Sequence, residues 1–321
     1  MRGPPDDQKE RSLDVGQDVE ASGIEALPRR VSRYGEAKKR ALEVAEYIGQ
    51  QEGGKGVAAK VVGCGEYLLF RHYYTVDQVR LHAARFCRKH LVCPLCAIRR
   101  GAKALQAYLP RYESVRAVDG LLRPFLVTLT VKDGDDLAER FEHLQRSQRE
   151  LWMRKHRARG SVLDLVDAAV WSYEVKRGHG SGQWHPHLHM VALSHVQPDQ
   201  AALSREWLDI TGDSFVVDVR PIDEADAASG FLEVFKYALK FSEMEASDTW
   251  EAFQALRGRR LVGSAGLFRG IDIPEALTDE PLDDLPFVNL FFSYLNGRYS
   301  LTPVAKRGQG SPKGTAIAAR P

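Results

Sequence analysis

Two β runs, residues 168–176 and 184–194, flank the loop Arg177-Gly-His-Gly-Ser-Gly182, and this pair constrains the fold more than any other stretch. Both runs are apolar enough for buried strands, and a short Gly-rich connection joins strands that run antiparallel. Upstream, Phe125-Leu-Val-Thr-Leu-Thr130 reads as a further buried strand. Asp135 and Asp136 then open a helix, where acids favour the positive end of the dipole, and Leu137, Phe141, Leu144 and Leu151 keep one apolar stripe to about residue 158. A helix near 198–210, a strand at Phe215–Arg220 and a helix from about Asp226 to Glu243 follow. The order strand, helix, strand, strand, helix, strand, helix predicts an α+β fold, a ferredoxin-like antiparallel sheet with helices on one face.

The flanks differ in character. Residues 1–35 are rich in Gly, Pro and charge without periodicity and are expected to be disordered. Residues 36–116 form a helical, Cys-rich region, with a helix over 36–51, a hairpin or ribbon over 57–70, a basic helical stretch around 75–90 and a helix from 94 to 109. Residues 117–270 carry the strand series. Residues 271–321 read as a C-terminal extension with an acidic stretch, an apolar patch at Phe287–Leu295 and a tail expected to be mobile from about 305. The charged, polar opening is not a secretory signal, and no apolar run approaches the roughly 18 residues of a membrane span. A cytoplasmic protein without membrane contact is expected.

The net charge of +2 hides opposite blocks. Residues 71–116 hold ten Lys/Arg against Asp77 and Glu113, whereas residues 272–284 hold six acids and no base. A concentrated basic block in a nearly neutral chain suggests a local polyanion contact, with Arg88, Lys89, Arg99, Arg100 and Lys103 as candidate DNA-binding residues. All four cysteines, Cys64, Cys87, Cys93 and Cys96, lie close together, and Cys93-Pro-Leu-Cys96 is a CxxC. Four soft ligands in a chain without a secretory signal favour a structural Zn²⁺ over disulfides.

Gln183-Trp-His185-Pro-His187-Leu-His189-Met-Val191 is the most specific motif. Alternate residues of a strand share a face, so His187 and His189 stand about 7 Å apart and can chelate one divalent metal. A hairpin centred near 180–181 pairs position 187 with Glu174, and imidazoles with a carboxylate suit Mg²⁺ or Mn²⁺ in phosphoryl chemistry. In Phe231-Leu-Glu233-Val-Phe-Lys236-Tyr237-Ala-Leu-Lys240, helical spacing puts Glu233, Tyr237 and Lys240 on one stripe and Leu232, Phe235 and Leu239 on the other. A lysine near a tyrosine stabilises phenolate, which can attack a phosphodiester.

Together, Phe125–Thr130, His187-Leu-His189 and Glu233 with Tyr237-Ala-Leu-Lys240 resemble the three ordered motifs of HUH endonucleases, in particular the plasmid rolling-circle replication initiator (Rep) family. Phe86-Cys87…Cys93-Pro-Leu-Cys96 resembles that family's Cys-rich segment, and Gly258-Arg-Arg-Leu the end of its catalytic region. The resemblance covers about residues 60–270. It implies an HUH nicking domain over 117–270, metal ligation by His187 and His189, Tyr237 as nucleophile and Glu233 as the base that ends replication. The implied activity is a metal-dependent, site-specific DNA endonuclease and strand transferase. It leaves a 5′-phosphotyrosine and a free 3′-OH for polymerase. Lys240 would steady phosphate charge. The implied partners are plasmid origin DNA, single-stranded or as a hairpin, and a host polymerase and helicase, with the protein acting as one copy or as a homodimer. An HUH-type transposase shares this chemistry, and His185-Pro-His-Leu-His-Met-Val also fits the histidine-triad nucleotide hydrolases.

Overall fold

A computed structural model describes residues 23–157, 160–282 and 284–302 of the chain. The first helix, α1 (Leu27–Gly49), begins inside the segment expected to be disordered. Val31 and Tyr34 explain this, since they continue the buried stripe of Ala41, Val44, Ala45 and Ile48. Residues 1–22 and the tail expected to be mobile from about 305 lie outside the described residues.

The Cys-rich region departs from expectation in two places. Part of the predicted ribbon over 57–70 is instead helix α2 (Lys55–Val62), a short apolar run whose type periodicity cannot decide. The predicted basic helix around 75–90 is instead strand β2 (Gln78–Ala84), paired antiparallel with β1 (Tyr67–Tyr73). Val79 and Leu81 alternate inward with period two, and Asp77 takes a left-handed φ of 45° at the turn. Helix α3 (Pro94–Val118) runs past the expected end at 109 because Tyr112 and Val115 prolong its buried face.

The predicted strand series is present as β3 (Arg123–Thr130), α4 (Leu137–His156), β4 (Val166–Arg177), β5 (Trp184–Ser194), α5 (Gln200–Thr211) and β6 (Val217–Pro221). Asp136 and Asp199 cap α4 and α5 by accepting backbone N–H bonds. With β7 (Val262–Gly266), the strands form one antiparallel sheet in the order β6-β3-β5-β4-β7. Helices α4 and α5 share a face, where Trp171 stacks on Trp152, the Tyr173 hydroxyl donates to Gln148 Oε1 and Trp207 Nε1 donates to the Thr130 carbonyl.

The expectation of helices on one face only is corrected by the alternate residues of β4. Ser172 points the other way and donates to the Val234 carbonyl of α6 (Ala227–Phe235). Strand β4 is buried on both faces over most of its length, so each face needs a cover. The single helix predicted from Asp226 to Glu243 is also two: α6 ends at Phe235, and α7 (Tyr237–Glu243) restarts after a turn at Lys236. Helix α8 (Ala246–Leu256) follows.

The segment beyond residue 270 is built into the Cys-rich region. Strand β8 (Val288–Leu295), the predicted apolar patch, pairs with β1, and β9 (Arg298–Leu301) completes a second antiparallel sheet in the order β2-β1-β8-β9. Asn296 and Gly297, with φ of 51° and 81°, make the left-handed turn that a tight hairpin requires. One apolar cluster runs through both sheets, and Tyr108 of α3 packs on Phe235 and Phe268 at the junction. Among the described residues, no helix is long and apolar enough to cross a membrane.

Candidate active site and metal centres

The β4–β5 register pairs Glu174 with His187. Alternation along β5 places His189 on the same face, its ring centroid 4.9 Å from that of His187. The carboxylate faces both rings, with Glu174 Oε1 3.4 Å from His187 Nε2 and Oε2 3.6 Å from His189 Nε2. Two ligand atoms each about 2.1 Å from one ion lie about 3.0–3.4 Å apart, so these spacings suit one divalent cation. The other ring nitrogens are occupied: His189 Nδ1 meets Thr128 Oγ1 at 3.0 Å, and His187 Nδ1 meets the His185 carbonyl at 3.3 Å. Such outer partners hold the inner nitrogens toward a shared point.

Glu174 and His187 are both nearly buried. Burial alone would raise the Glu174 carboxyl, but the hydrogen bond and charge of His187, then the charges of His189 and Lys240, hold it below the ordinary carboxylate range. Burial, then the neighbouring His187, pushes His189 down to about 4. The trio is a carboxylate and two imidazoles in a setting that keeps His189 neutral at neutral pH. His185, the third histidine of the strand, pairs with Asp133 at 2.5 Å instead.

The Tyr segment differs from its helical reading. Glu233 and Lys240 are partly exposed, and their charges are felt at His189 and Glu174 respectively. Glu233 pairs with Lys236 at 3.1 Å. Tyr237 does not share their exposed stripe, because it is 95% buried and meets the His90 ring edge-on at 6.2 Å. It lines a cavity of about 430 Å³ with His90, Arg100, Arg259 and Arg260. Burial pushes its phenol up to about 12, and the opposing cation is Arg100 rather than a lysine. Of the expected opposite stripe, Leu232 and Phe235 are buried, and the side chain of Leu239 lies outside the described residues. Tyr173, the neighbour of Glu174, faces α4.

The four cysteines converge. Cys64 lies 3.6 Å from Cys93 and from Cys96, and Cys87 lies 3.6 Å from Cys96, sulfur to sulfur. A tetrahedral Zn²⁺ with Zn–S bonds of about 2.3 Å sets sulfurs about 3.8 Å apart, so the donor set and spacing fit zinc. The crowded sulfurs pull the Cys87 thiol below its ordinary range and push Cys93 and Cys96 above theirs, so the donor set and spacing, not the thiols' acidity, carry the zinc fit. Lys38 donates to the carbonyls of Val62 and Cys64, which fixes the loop carrying the first cysteine.

The basic block divides. Arg88 is exposed, and Lys89 and Arg100 are half-buried. Arg99 and Lys103 are buried, which corrects their expected place on a DNA-facing surface. Arg99 pairs with Asp279 of the acidic stretch and donates to the Leu277 carbonyl and the Tyr34 hydroxyl. A guanidinium already bonded this way inside the protein has no free face for phosphate. Sequence reasoning did not connect His90 to Tyr237, and it assigned Arg259 and Arg260 no role. Nothing in a lone histidine distinguishes it before the fold brings Tyr237 to it, whereas the adjacent arginines after Gly258 were a visible signal.

Comparison with known proteins places this constellation in context. A family model described as Replication protein matches residues 78–289, more than half of the chain. A protein of Bacillus sp. called Protein rep is 25% identical over 263 residues, covering 71% of this chain and 83% of the relative. No solved structure matches significantly.

Proposed function

This chain belongs to that family of replication proteins, and on this premise we propose that it initiates rolling-circle replication by nicking one strand of plasmid origin DNA. The observation that carries the reading is the Glu174, His187 and His189 trio, set in a β3–α4–β4–β5–α5–β6 series of strand order β6-β3-β5-β4, which supports a ferredoxin-like, HUH-type unit, and followed by the Tyr237 segment packed on the same sheet. Residues 117–270 form the nicking unit. Residues 36–116, joined by the C-terminal strands, form a zinc-bearing unit that holds DNA through Arg88, Lys89 and Arg100.

Bound at the trio, Mg²⁺ or Mn²⁺ would withdraw charge from the scissile phosphate. The chain's own residues supply the rest. Glu174, His187 and His189 would hold the metal, with Thr128 and the His185 carbonyl steadying the rings. The Tyr237 oxygen gives up its proton and forms a bond to phosphorus, the P–O3′ bond breaks, and the leaving 3′ oxygen takes up that proton through water and becomes a free 3′-OH. Tyr237 enters this step protonated, and the Arg100 charge offsets part of the cost of ionising it. Lys240 steadies phosphate charge, and Glu233 takes a proton from the water that releases the enzyme at termination. The exchange of one phosphoester for another is nearly energy-neutral and requires no nucleotide.

The test is Tyr237→Phe, which removes one oxygen and keeps the ring. The covalent protein–DNA adduct seen on denaturing gels with labelled single-stranded origin DNA should vanish, while DNA binding persists. An adduct that survives in this variant and is lost in another tyrosine variant overturns the nucleophile. An HUH-type transposase would share this chemistry, and the replication-protein match favours the initiator. The histidine-triad alternative offers no role for a carboxylate facing two rings.

A further inference from the structure

The cavity beside Tyr237 does not end at the sheet edge. A second cavity, of about 300 Å³, lies against the outer side of β7, lined by Arg149, Arg269, Trp152 and Trp171. The two share Arg260, Val262 and Ser264 in their linings, so they meet across one strand. Among the described residues strand β7 is the edge of its sheet, and no further strand of theirs covers it there.

Five arginines mark the path, Arg149, Arg269 and Arg260 exposed, Arg259 and Arg100 half-buried. Among the described residues none of the five has a carboxylate within ion-pair distance. Arg100, Arg259 and Arg260 donate only to backbone carbonyls, of Ile273 and Pro274, Ala255 and Val262 respectively. Asp272 is the one acid on either lining among the described residues. Five cations against one acid form an anion path. The aromatic element is also present, since Trp171 is half-buried in the outer cavity and backed by a stacked Trp152 at 5.6 Å. Gly263 pairs with Trp171 across the strands, and a Cβ there would fall 2.5 Å from the indole. Glycine at this point lets the indole lie against β7.

We propose that the two cavities are one binding track for single-stranded DNA, which turns around edge strand β7 and brings a backbone phosphate to Tyr237. The identity of the strand rests on the nicking reading above. A row of arginines beside an indole platform follows a flexible phosphate backbone while a base stacks. The turn around one strand suits a single chain of nucleotides and not a stiff duplex. The zinc-bearing unit gives Arg100 and His90, and the segment after α8 gives Arg259 and Arg260, so the track also joins the two units of the chain.

The full-length protein tests this with a fluorescein-labelled 20-nucleotide oligo-dT, its affinity read by anisotropy over a salt series. Arg149→Gln with Arg269→Gln removes two cations remote from Tyr237. The slope of log affinity against log salt should fall by about 0.7 for each arginine lost. Arg146→Gln, an exposed change elsewhere on α4, controls for general charge. A slope drop per arginine no larger than that of the control overturns the track, as does an equal drop for a 20-base-pair duplex. Trp171→Phe should abolish most of the tryptophan quenching on binding, and unchanged quenching overturns the stacking platform. Adduct formation on origin DNA is scored separately. An adduct at Tyr237 with an unmoved slope rejects the track alone, and a moved slope without any adduct keeps the track and rejects the nucleophile.

Discussion

His189 uses both ring nitrogens, one toward Thr128 and one toward Glu174, and with its value near 4 this sets how the site answers to acid. An ordinary histidine takes a proton near pH 6.5 and loses a metal there. His189 is lowered, so proton competition is deferred to lower pH. Protonation of His189 should therefore weaken Mn²⁺ binding, followed by electron paramagnetic resonance, only as pH approaches 4. His187→Ala or His189→Ala should weaken it at least tenfold at pH 7 and abolish nicking. Full cleavage by these variants, or by the protein in excess chelator, would remove the metal from the mechanism. The trio was legible in the sequence because strand alternation and hairpin length together specify register. The setting of Tyr237 was not. Helical spacing grouped it with Glu233 and Lys240, but its burial depends on His90, a residue that no local pattern connects to it.

The four cysteines come from different elements: the end of α2, the loop after β2 and the start of α3. A metal there links pieces that would otherwise be held only by packing, so its removal acts on folding before chemistry. Elemental analysis should find about one zinc per chain, and Cys96→Ser should lose it and lower the melting temperature. DNA affinity should fall more than the cleavage rate of the bound complex. Zinc-free protein with an unchanged melting curve would reject this assignment. The gathering of cysteines was legible because all four lie in one short stretch, whereas the shape of that stretch was not. The basic residues around 75–90 suggested a helical face, but Val79 and Leu81 alternate as a strand. Likewise Arg99 and Lys103 read as a DNA-facing patch because the acid that satisfies Arg99, Asp279, belongs to a distant segment.

At the scale of the whole molecule, Asp279 ties the first helix, the Cys-rich helix and the C-terminal segment together. It accepts from Arg30 at 2.9 Å, from Arg99 and from the Leu81 backbone N–H at 2.6 Å, all buried. Burial alone would raise this carboxyl, but Arg99 and Arg30 hold it well below the ordinary range. A depressed carboxyl stabilises the fold fully above its unfolded value of about 3.9, and this contribution is lost as pH falls below that. Asp279→Ala removes the carboxylate that two buried guanidinium groups share, and should cost about 3–5 kcal/mol in urea unfolding at pH 7. The loss should shrink when both proteins are compared at pH 2–3. The sequence showed the acidic and basic blocks but not their meeting, since no local rule links segments so far apart. The pairing of β1 with β8 has the same reach, and it sets a timetable for biosynthesis. At 5–20 residues per second, a ribosome needs roughly 10–45 s after making β1 to make its neighbour. Throughout that interval the nascent chain carries a strand edge in want of a partner, which is where chaperones bind and aggregation starts. A message cut short before β8 therefore yields a product in which this sheet cannot close.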